Sequence, residues 1–355
     1  MNNKKICVLT TSLSSGGAEK MAANMSISLC NRGYDVVVVS MKDEIDYDFS
    51  GKLYNFGKVK AQYSRLQAFF KFQRFFKKHQ FDVIIDHRVR DKFVKEFLFS
   101  KLVFGGSKVV YCVHHYMLGL YFSMQNIPML SRLTLVKNRK IVVVSKVAKQ
   151  KIKQQLQLES KVIYNYTLEN KEVKGFNSVN TYILAVGRLE KIKQFDVLIK
   201  AFSKSQLPKN NIKLLILGKG IEQASLSQLI LKLNLKNHVE IVEFKKNVDA
   251  YIKQSKALVM SSASEGFPMV LIEALALKTP VISFDCKSGP NEIIQSEVNG
   301  LLVEDQNSVK LTEALDRLIL NDVFYNKIKG NLERMTNPFS EKRIIEHWVN
   351  LLENF

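Results

Sequence analysis

The chain has 355 residues and carries 53 Lys plus Arg against 33 Asp plus Glu, a formal charge of +20, with 46% hydrophobic and 24% charged residues. This composition excludes a disordered or fibrous chain, and the length exceeds what one core ordinarily holds, so two domains of about 150 to 200 residues each are expected. The positive field favours anionic partners, which are nucleic acid, an acidic membrane surface or phosphorylated substrates. The excess sits early: 13 basic against 4 acidic residues over 58–108, and nine against one over 132–161.

No apolar run approaches the roughly 18 residues that a membrane-spanning helix needs. The start, MNNKKICVLTTSLSSGG, has neither a long apolar region nor a small-residue cleavage site, so it reads as a first strand and not a signal peptide. The cysteines Cys7, Cys30, Cys112 and Cys286 are scattered without a CxxC pair. That pattern argues against a disulfide framework or a zinc site, and a cytoplasmic protein is expected.

In chain order, KICVLTT (5–11) reads as a strand and 18–31 as a helix ended by Gly33. YDVVVVS (34–40), FDVIID (81–86), KVVYCV (108–113) and KIVVVS (140–145) read as further buried strands with helical patterns between them. A polar stretch follows, and the series restarts with YILAVG (182–187), IKLLILG (212–218), HVEIVEF (238–244), ALVMSS (257–262) and PVISFD (280–285). Strands alternating with helices imply parallel, doubly wound sheets. The predicted fold class is therefore α/β, with two Rossmann-like domains joined near 165–180. Ligands of such sheets bind beyond the carboxyl ends of the strands, and a cleft between two such domains is the expected site. The last segment, FSEKRIIEHWVNLLENF, reads as an amphipathic helix with Ser340 as a candidate N-cap and Trp348 on its apolar face.

The loops after the strands are where chemistry is expected. Gly16 and Gly17, with Glu19 close behind, open the first helix; two glycines allow close backbone approach to an anion at a helix N-terminus, and an ordinary glycine turn is the alternative. After YILAVG, Arg188 and Lys193 lie just past a strand end, where fixed cations suit a diphosphate leaving group. Solvated surface charge is the alternative reading there. SEGFPMVLIE (264–273) puts Glu265 in a turn, Pro268 at the first helical position and Glu273 about one and a half turns into a helix. The free amides of 266–270 would attract anions or sugar hydroxyls. Residue types alone leave the two acids open between a site and a pair of ordinary helix-terminal carboxylates. Asp46-Tyr47-Asp48 spells DxD, a metal-holding pattern elsewhere, but it is set apart from the expected diphosphate cations, and no metal is expected.

Assembled, GGAE (16–19), VGRL with Lys193, SxxSEGFPMVLIEAL (261–275, an E(x7)E pattern), DCKSGPNEI (285–293) and NGLLV (299–303) resemble, in order and spacing, the retaining glycosyltransferases of family 4. What the resemblance implies is a GT-B architecture and an enzyme that moves a hexose or N-acetylhexosamine from a nucleotide-sugar, most often UDP-linked, to a glycan acceptor. It implies domains at 1–165 for the acceptor and 166–337 for the donor, with 338–355 packing back toward the first. It implies that Arg188 and Lys193 bind the diphosphate, Glu265 the transferred sugar, Glu273 the ribose, and His114 the sugar near its reacting carbon, with the adjacent His115 easily confused with it. Gly187, Gly218, Phe244, Gly266, Phe267, Pro268, Met269, Val270 and Leu271 would line the donor site, and Gly16, Gly17 and Glu19 the phosphates or the acceptor. Gln194, Glu243 and Lys278 depart from glycines usual in the family.

The stretch SRLQAFFKFQRFFKKHQ (64–80) interleaves five phenylalanines with basic residues. That suits a helix lying on an anionic membrane, or else a core helix with a basic outer face. The expectation is a cytoplasmic enzyme, peripheral at the inner face of the membrane, extending a lipid-linked glycan for a bacterial surface polysaccharide without a cofactor. The rivals are a UDP-sugar epimerase on the same architecture and a basic nucleic-acid-binding protein, the latter unsupported by any nucleic-acid motif.

Overall fold

The computed structural model describes residues 4–169, 181–243 and 247–355. The chain divides into two compact units, Met1–Leu168 with Glu341–Phe355, and Glu169–Ser340. Most of the expected joining stretch, 170–180, lies outside the described residues, as does Phe244.

The first unit is built on seven parallel strands: β1 (Lys5–Thr10), β2 (Asp35–Ser40), β3 (Lys52–Asn55), β4 (Val83–Asp86), β5 (Lys108–Val113), β6 (Arg139–Val143) and β7 (Lys161–Val162). Their order is β3-β2-β1-β4-β5-β6-β7. The edge strands β3 and β7 were not expected, because KLYN and KV are short and carry no apolar run. Successive side chains of a strand point to opposite faces. Cys7, Leu9, Val37, Val39, Ile84, Val109, Tyr111 and Val113 therefore feed one core, and Ile6, Val8, Val36, Val38, Val83, Ile85, Val110 and Cys112 feed the other.

Helix Arg65–His79 covers the first of these faces. Ser64 caps it and forms a reciprocal capping box with Gln67, which satisfies two otherwise unpaired amides. Phe72 and Phe76, four residues apart, are buried, and Phe69 and Phe75 pack partly against the same core. Of the five phenylalanines only Phe70 is exposed, at 59%. Four of the five thus serve the core, which is the core-helix alternative with a basic outer face. The second face is covered by helix Gly17–Asn31 and by helix Glu341–Glu353, whose Ile344, Ile345, Trp348, Leu351 and Leu352 are buried in that core. Lys4 and Lys140 donate to carbonyls in its last turn, Leu352 O at 3.1 Å and Leu351 O at 3.3 Å, where a helix end favours cations.

The second unit has six parallel strands: β8 (Tyr182–Val186), β9 (Lys213–Leu217), β10 (Val239–Val242), β11 (Leu258–Met260), β12 (Val281–Phe284) and β13 (Gly300–Val303). Their order is β10-β9-β8-β11-β12-β13. In both sheets the strand order reverses once, between β1 and β4 and between β8 and β11. At such a switch point the loops leaving neighbouring strands diverge and open a crevice.

Candidate active site

The second switch point is stitched across its two loops. Ser261, just past β11, donates its hydroxyl to Lys193 O at 2.9 Å and Gln194 O at 3.1 Å, and Ala263 N donates to Ile192 O at 2.8 Å. This tie brings the loop after β8 against the loop after β11. Lys193 Nζ lies 2.6 Å from Glu265 Oε1, with side chains 19% and 13% exposed. An ammonium has three N–H donors, and Glu265 takes one of them. Arg188, in the same loop, is more open and pairs with Glu190 at 2.8 Å.

Neighbouring strand ends support these loops. Leu189 N donates to Lys219 O at 2.9 Å, and a Cβ at Gly218 would strike the carbonyl oxygen of Gly187, so the loop after β9 can lie on the loop after β8 only with glycine there. From the other side, Ser288 donates to Gly266 O at 2.9 Å. Gly289 has φ +97°, and a Cβ there would sit 2.7 Å from Pro268 Cδ. Burial and the charge of Glu265 push the Cys286 thiol up to about 12, so it stays protonated beneath the loop.

Pro268 stands at the N-cap, not the first helical position as expected; the helix runs Met269–Ala276. Glu273 is its fifth residue and is buried at 8% exposure, so it is not an ordinary solvated helix acid. Gly266, Phe267, Pro268 and Met269 are also buried, Val270 half-buried. The Phe267 ring packs edge-on to Phe339 at 5.3 Å. Leu271 is fully buried and its amide donates to Pro268 O at 3.3 Å. Gln194 and Lys278, two of the departures from family glycines, have φ +49° and +59°, a left-handed backbone that glycine adopts without steric cost. Glu243 is exposed beyond β10.

At the first switch point, Gly16 is the N-cap of helix Gly17–Asn31 and offers no side-chain cap, while the Glu19 carboxylate folds over it. Asp46 of the DxD sequence accepts from the Ser14 hydroxyl at 2.5 Å and fastens the loop before Gly16. His114 follows β5, and its Nε2 lies 2.9 Å from Nδ1 of His87, which follows β4. His115 is engaged locally, accepting from Met117 N at 3.1 Å.

His87 was not among the expected site residues. The available signal was DHRVRD (86–91), five charged or titratable residues of six directly after an apolar run. Most of that run is a buried ion network. Arg88 Nη2 lies 2.8 Å from Asp86 Oδ2 and 3.0 Å from Glu96 Oε2. Arg90 donates to Asp86 O at 3.2 Å, Arg88 O at 3.1 Å and Cys112 O at 3.3 Å. All four charged side chains are at most 4% exposed. Although burial alone would raise the Asp86 carboxyl, the two guanidiniums hold it below the usual range. Burial, with Arg90 close by, depresses His87 to about 4 and His114 well below its ordinary value, so both imidazoles are neutral near pH 7. Nitrogens of these two and the Cys112 sulfur lie within 4.8 Å of one another. Such an N,N,S set suits a soft cation more than Mg²⁺, and loading it would require removing a thiol proton that burial retains.

The second unit matches the family model "Glycosyl transferases group 1" over residues 167–335, and the first matches "Glycosyltransferase Family 4" over 15–166. The chain belongs to the glycosyltransferases of these paired families. It is 29% identical to the amylovoran biosynthesis glycosyltransferase AmsD of Erwinia amylovora over 98% of this chain and 99% of the relative. A 4-alpha-N-acetylgalactosaminyltransferase of Campylobacter jejuni, named as acting on a diphospho-undecaprenol-linked acceptor, is 33% identical over 52% of this chain and 50% of its own. Among solved structures, Anabaena Alr3699/HepE in complex with UDP-glucose superposes with a TM-score of 0.78 at 18% identity, covering 99% of this chain and all of that one. WaaG, a lipopolysaccharide glycosyltransferase, superposes with a TM-score of 0.74 at 14% identity over 99% of this chain and all of that one. The fold of this glycosyltransferase is thus GT-B, with Arg188, Lys193, Glu265 and Glu273 in its group 1 half and Gly16, His87 and His114 in its family 4 half.

Proposed function

We propose that this glycosyltransferase moves a hexose or N-acetylhexosamine from a UDP-sugar, with retention at the anomeric carbon, to a lipid-linked glycan acceptor of a bacterial surface polysaccharide. The observation that carries the reading is the Lys193–Glu265 pair at the β8/β11 switch point, with Arg188 in the same loop. Lys193 and Arg188 would hold the diphosphate and stabilise the charge it gains as it leaves, without a metal. Glu265 would accept from hydroxyls of the transferred sugar, Glu273 from the ribose, and His114 would contact the sugar. The acceptor oxygen forms the new bond to the anomeric carbon on the face the diphosphate leaves. The carbon–oxygen bond to the diphosphate breaks, the acceptor proton passes to the departing phosphate oxygen, and UDP is released. The UDP-glucose complex of the Anabaena neighbour and the lipid-linked acceptor named for the Campylobacter relative support this choice of substrates.

No helix among the described residues is long and apolar enough to cross a membrane. The reading places the enzyme at the inner membrane surface through the outer face of helix Arg65–His79, where Leu66 and Phe70 are 73% and 59% exposed among Arg65, Lys71, Arg74, Lys77 and Lys78. In a UDP-release assay with UDP-sugars and lipid-linked acceptors, NMR of the product would report the anomeric configuration. UDP release with transfer in the wild type, lost in Arg188→Ala and Glu265→Gln with folding intact, is the expected result. Full activity in both variants, or epimerisation of a UDP-sugar without acceptor, would overturn the reading. Leu66→Glu with Phe70→Glu should abolish sedimentation with anionic vesicles at low salt, and unchanged sedimentation would remove the membrane assignment.

A further inference from the structure

Next to His114 the structure lines up three side chains that can each carry a proton. Cys112 and His114 alternate off β5, and His87 follows the neighbouring strand β4, so the three side chains meet on one side of the sheet end. Cys112 Sγ lies 3.9 Å from His87 Nε2, and His87 Nδ1 lies 2.9 Å from His114 Nε2. His114 Nδ1 is buried with no hydrogen-bond partner among the described residues. His87 itself is held rigidly: its amide donates to Leu9 O at 2.8 Å, and Arg90 clamps the carbonyls on either side of it.

We propose that His87 is a positioning residue that fixes the tautomer of His114, so that His114 presents Nδ1–H as a donor toward an oxygen of the transferred sugar. The assignment follows from which atoms can give and take protons. Burial pushes the Cys112 thiol up, so it keeps its proton. An imidazole nitrogen is a better acceptor than a thiol sulfur, so the S–H donates to His87 Nε2. His87, neutral, then carries its proton on Nδ1 and donates it to His114 Nε2. His114, also neutral, has its one proton left for Nδ1, the atom without a protein partner. An orienting partner that selects the tautomer of a catalytic histidine is an established device. Here the partner is an uncharged imidazole, which can orient His114 without drawing a second proton onto it.

This inference rests on the reading that His114 touches the sugar, and the experiment separates the two. Selective ¹⁵N-histidine labelling reports which nitrogen of His114 is protonated, without substrate. The wild type should show the Nδ1–H form, and His87→Ala should show a shift toward Nε2–H. His87→Asn, whose amide N–H stands close to the place of Nδ1–H, should retain the wild-type form. In turnover, His87→Ala should lower kcat by roughly tenfold to a hundredfold with donor KM changed less, and His87→Asn should restore most of the loss. An Nε2–H tautomer in the wild type, an unchanged His114 spectrum in His87→Ala, or no rescue by His87→Asn would overturn the proposal. Full activity in His114→Ala would instead overturn the reading it rests on.

Discussion

The two units share a strand order around their switch points and use charge there in opposite ways. In the first, Asp86, Arg88, Arg90 and Glu96 are sealed below 5% exposure and stack on aromatic rings, Arg88 over Phe99 at 4.8 Å and Arg90 over Tyr111 at 4.9 Å. In the second, Lys193 and Glu265 are part-exposed, and Arg188 stands mostly in solvent. Buried charges that pair with one another build a platform closed to solvent. Part-exposed charges with spare donors can exchange partners with a ligand. The platform in the first unit carries two neutral imidazoles, and the loops in the second carry the cations.

Substitutions should separate platform from site. Arg88→Met removes the guanidinium that Asp86 and Glu96 share, leaving only Arg90 at 3.8 Å from Asp86 and Lys95 at 3.6 Å from Glu96, and the fold should lose about 3 kcal/mol. Chemical denaturation checks this, and a loss below 1 kcal/mol would show that the network is not a unit. Lys193→Ala should do the reverse, lowering kcat/KM by about 10²- to 10³-fold while changing stability by no more than about 1 kcal/mol, because its ion pair is partly solvated. Equal damage to folding would remove the distinction between the two sites.

Acid should act on the first unit. His87 and His114 have folded pKa values depressed below the unfolded one, so the unfolded chain binds more protons as pH falls. Stability should therefore drop between pH ~6.5, the unfolded histidine value, and about 4, where His87 itself titrates. Unfolding midpoints followed across this window in wild type and His87→Asn would show the slope shrinking in the variant. The smallest effect belongs to Gln194→Gly, which relieves a left-handed backbone at φ +49°. A gain of up to about 1 kcal/mol is expected, offset in part by glycine's larger unfolded-state entropy, and a thermal melt measures it.

Much of the fold was legible along the chain. The β-branched runs that became β1, β2, β4, β5, β6, β8, β9, β11 and β12 are mostly buried, and a strand covered on both faces must be apolar, which a single sequence displays; β10, an edge strand with Glu240 exposed, is the exception. Strands β3, β7 and β13 were not identified, being short or lying at a sheet edge where pairing rather than composition makes the strand. The positions of Arg188, Lys193 and Glu265 just past strand ends were legible because β8 and β11 are apolar runs. His87 was not: its place depends on β4 lying beside β5, 27 residues from His114 in the chain. The phenylalanines of 64–80 left a membrane-lying helix and a core helix open for the same reason, since spacing shows a stripe but not which side of the helix the sheet lies on.

What the sequence by itself determined is a chain of alternating strands and helices with cations and carboxylates placed at strand ends, because apolar periodicity and glycine turns are local properties. Only the tertiary structure decided that Lys193 meets Glu265 across a switch point, that Glu341–Glu353 closes the core of the first unit, and that an imidazole stands behind His114. Each of these depends on strand order, which is set by how whole faces bury against one another and is written in no short stretch of residues.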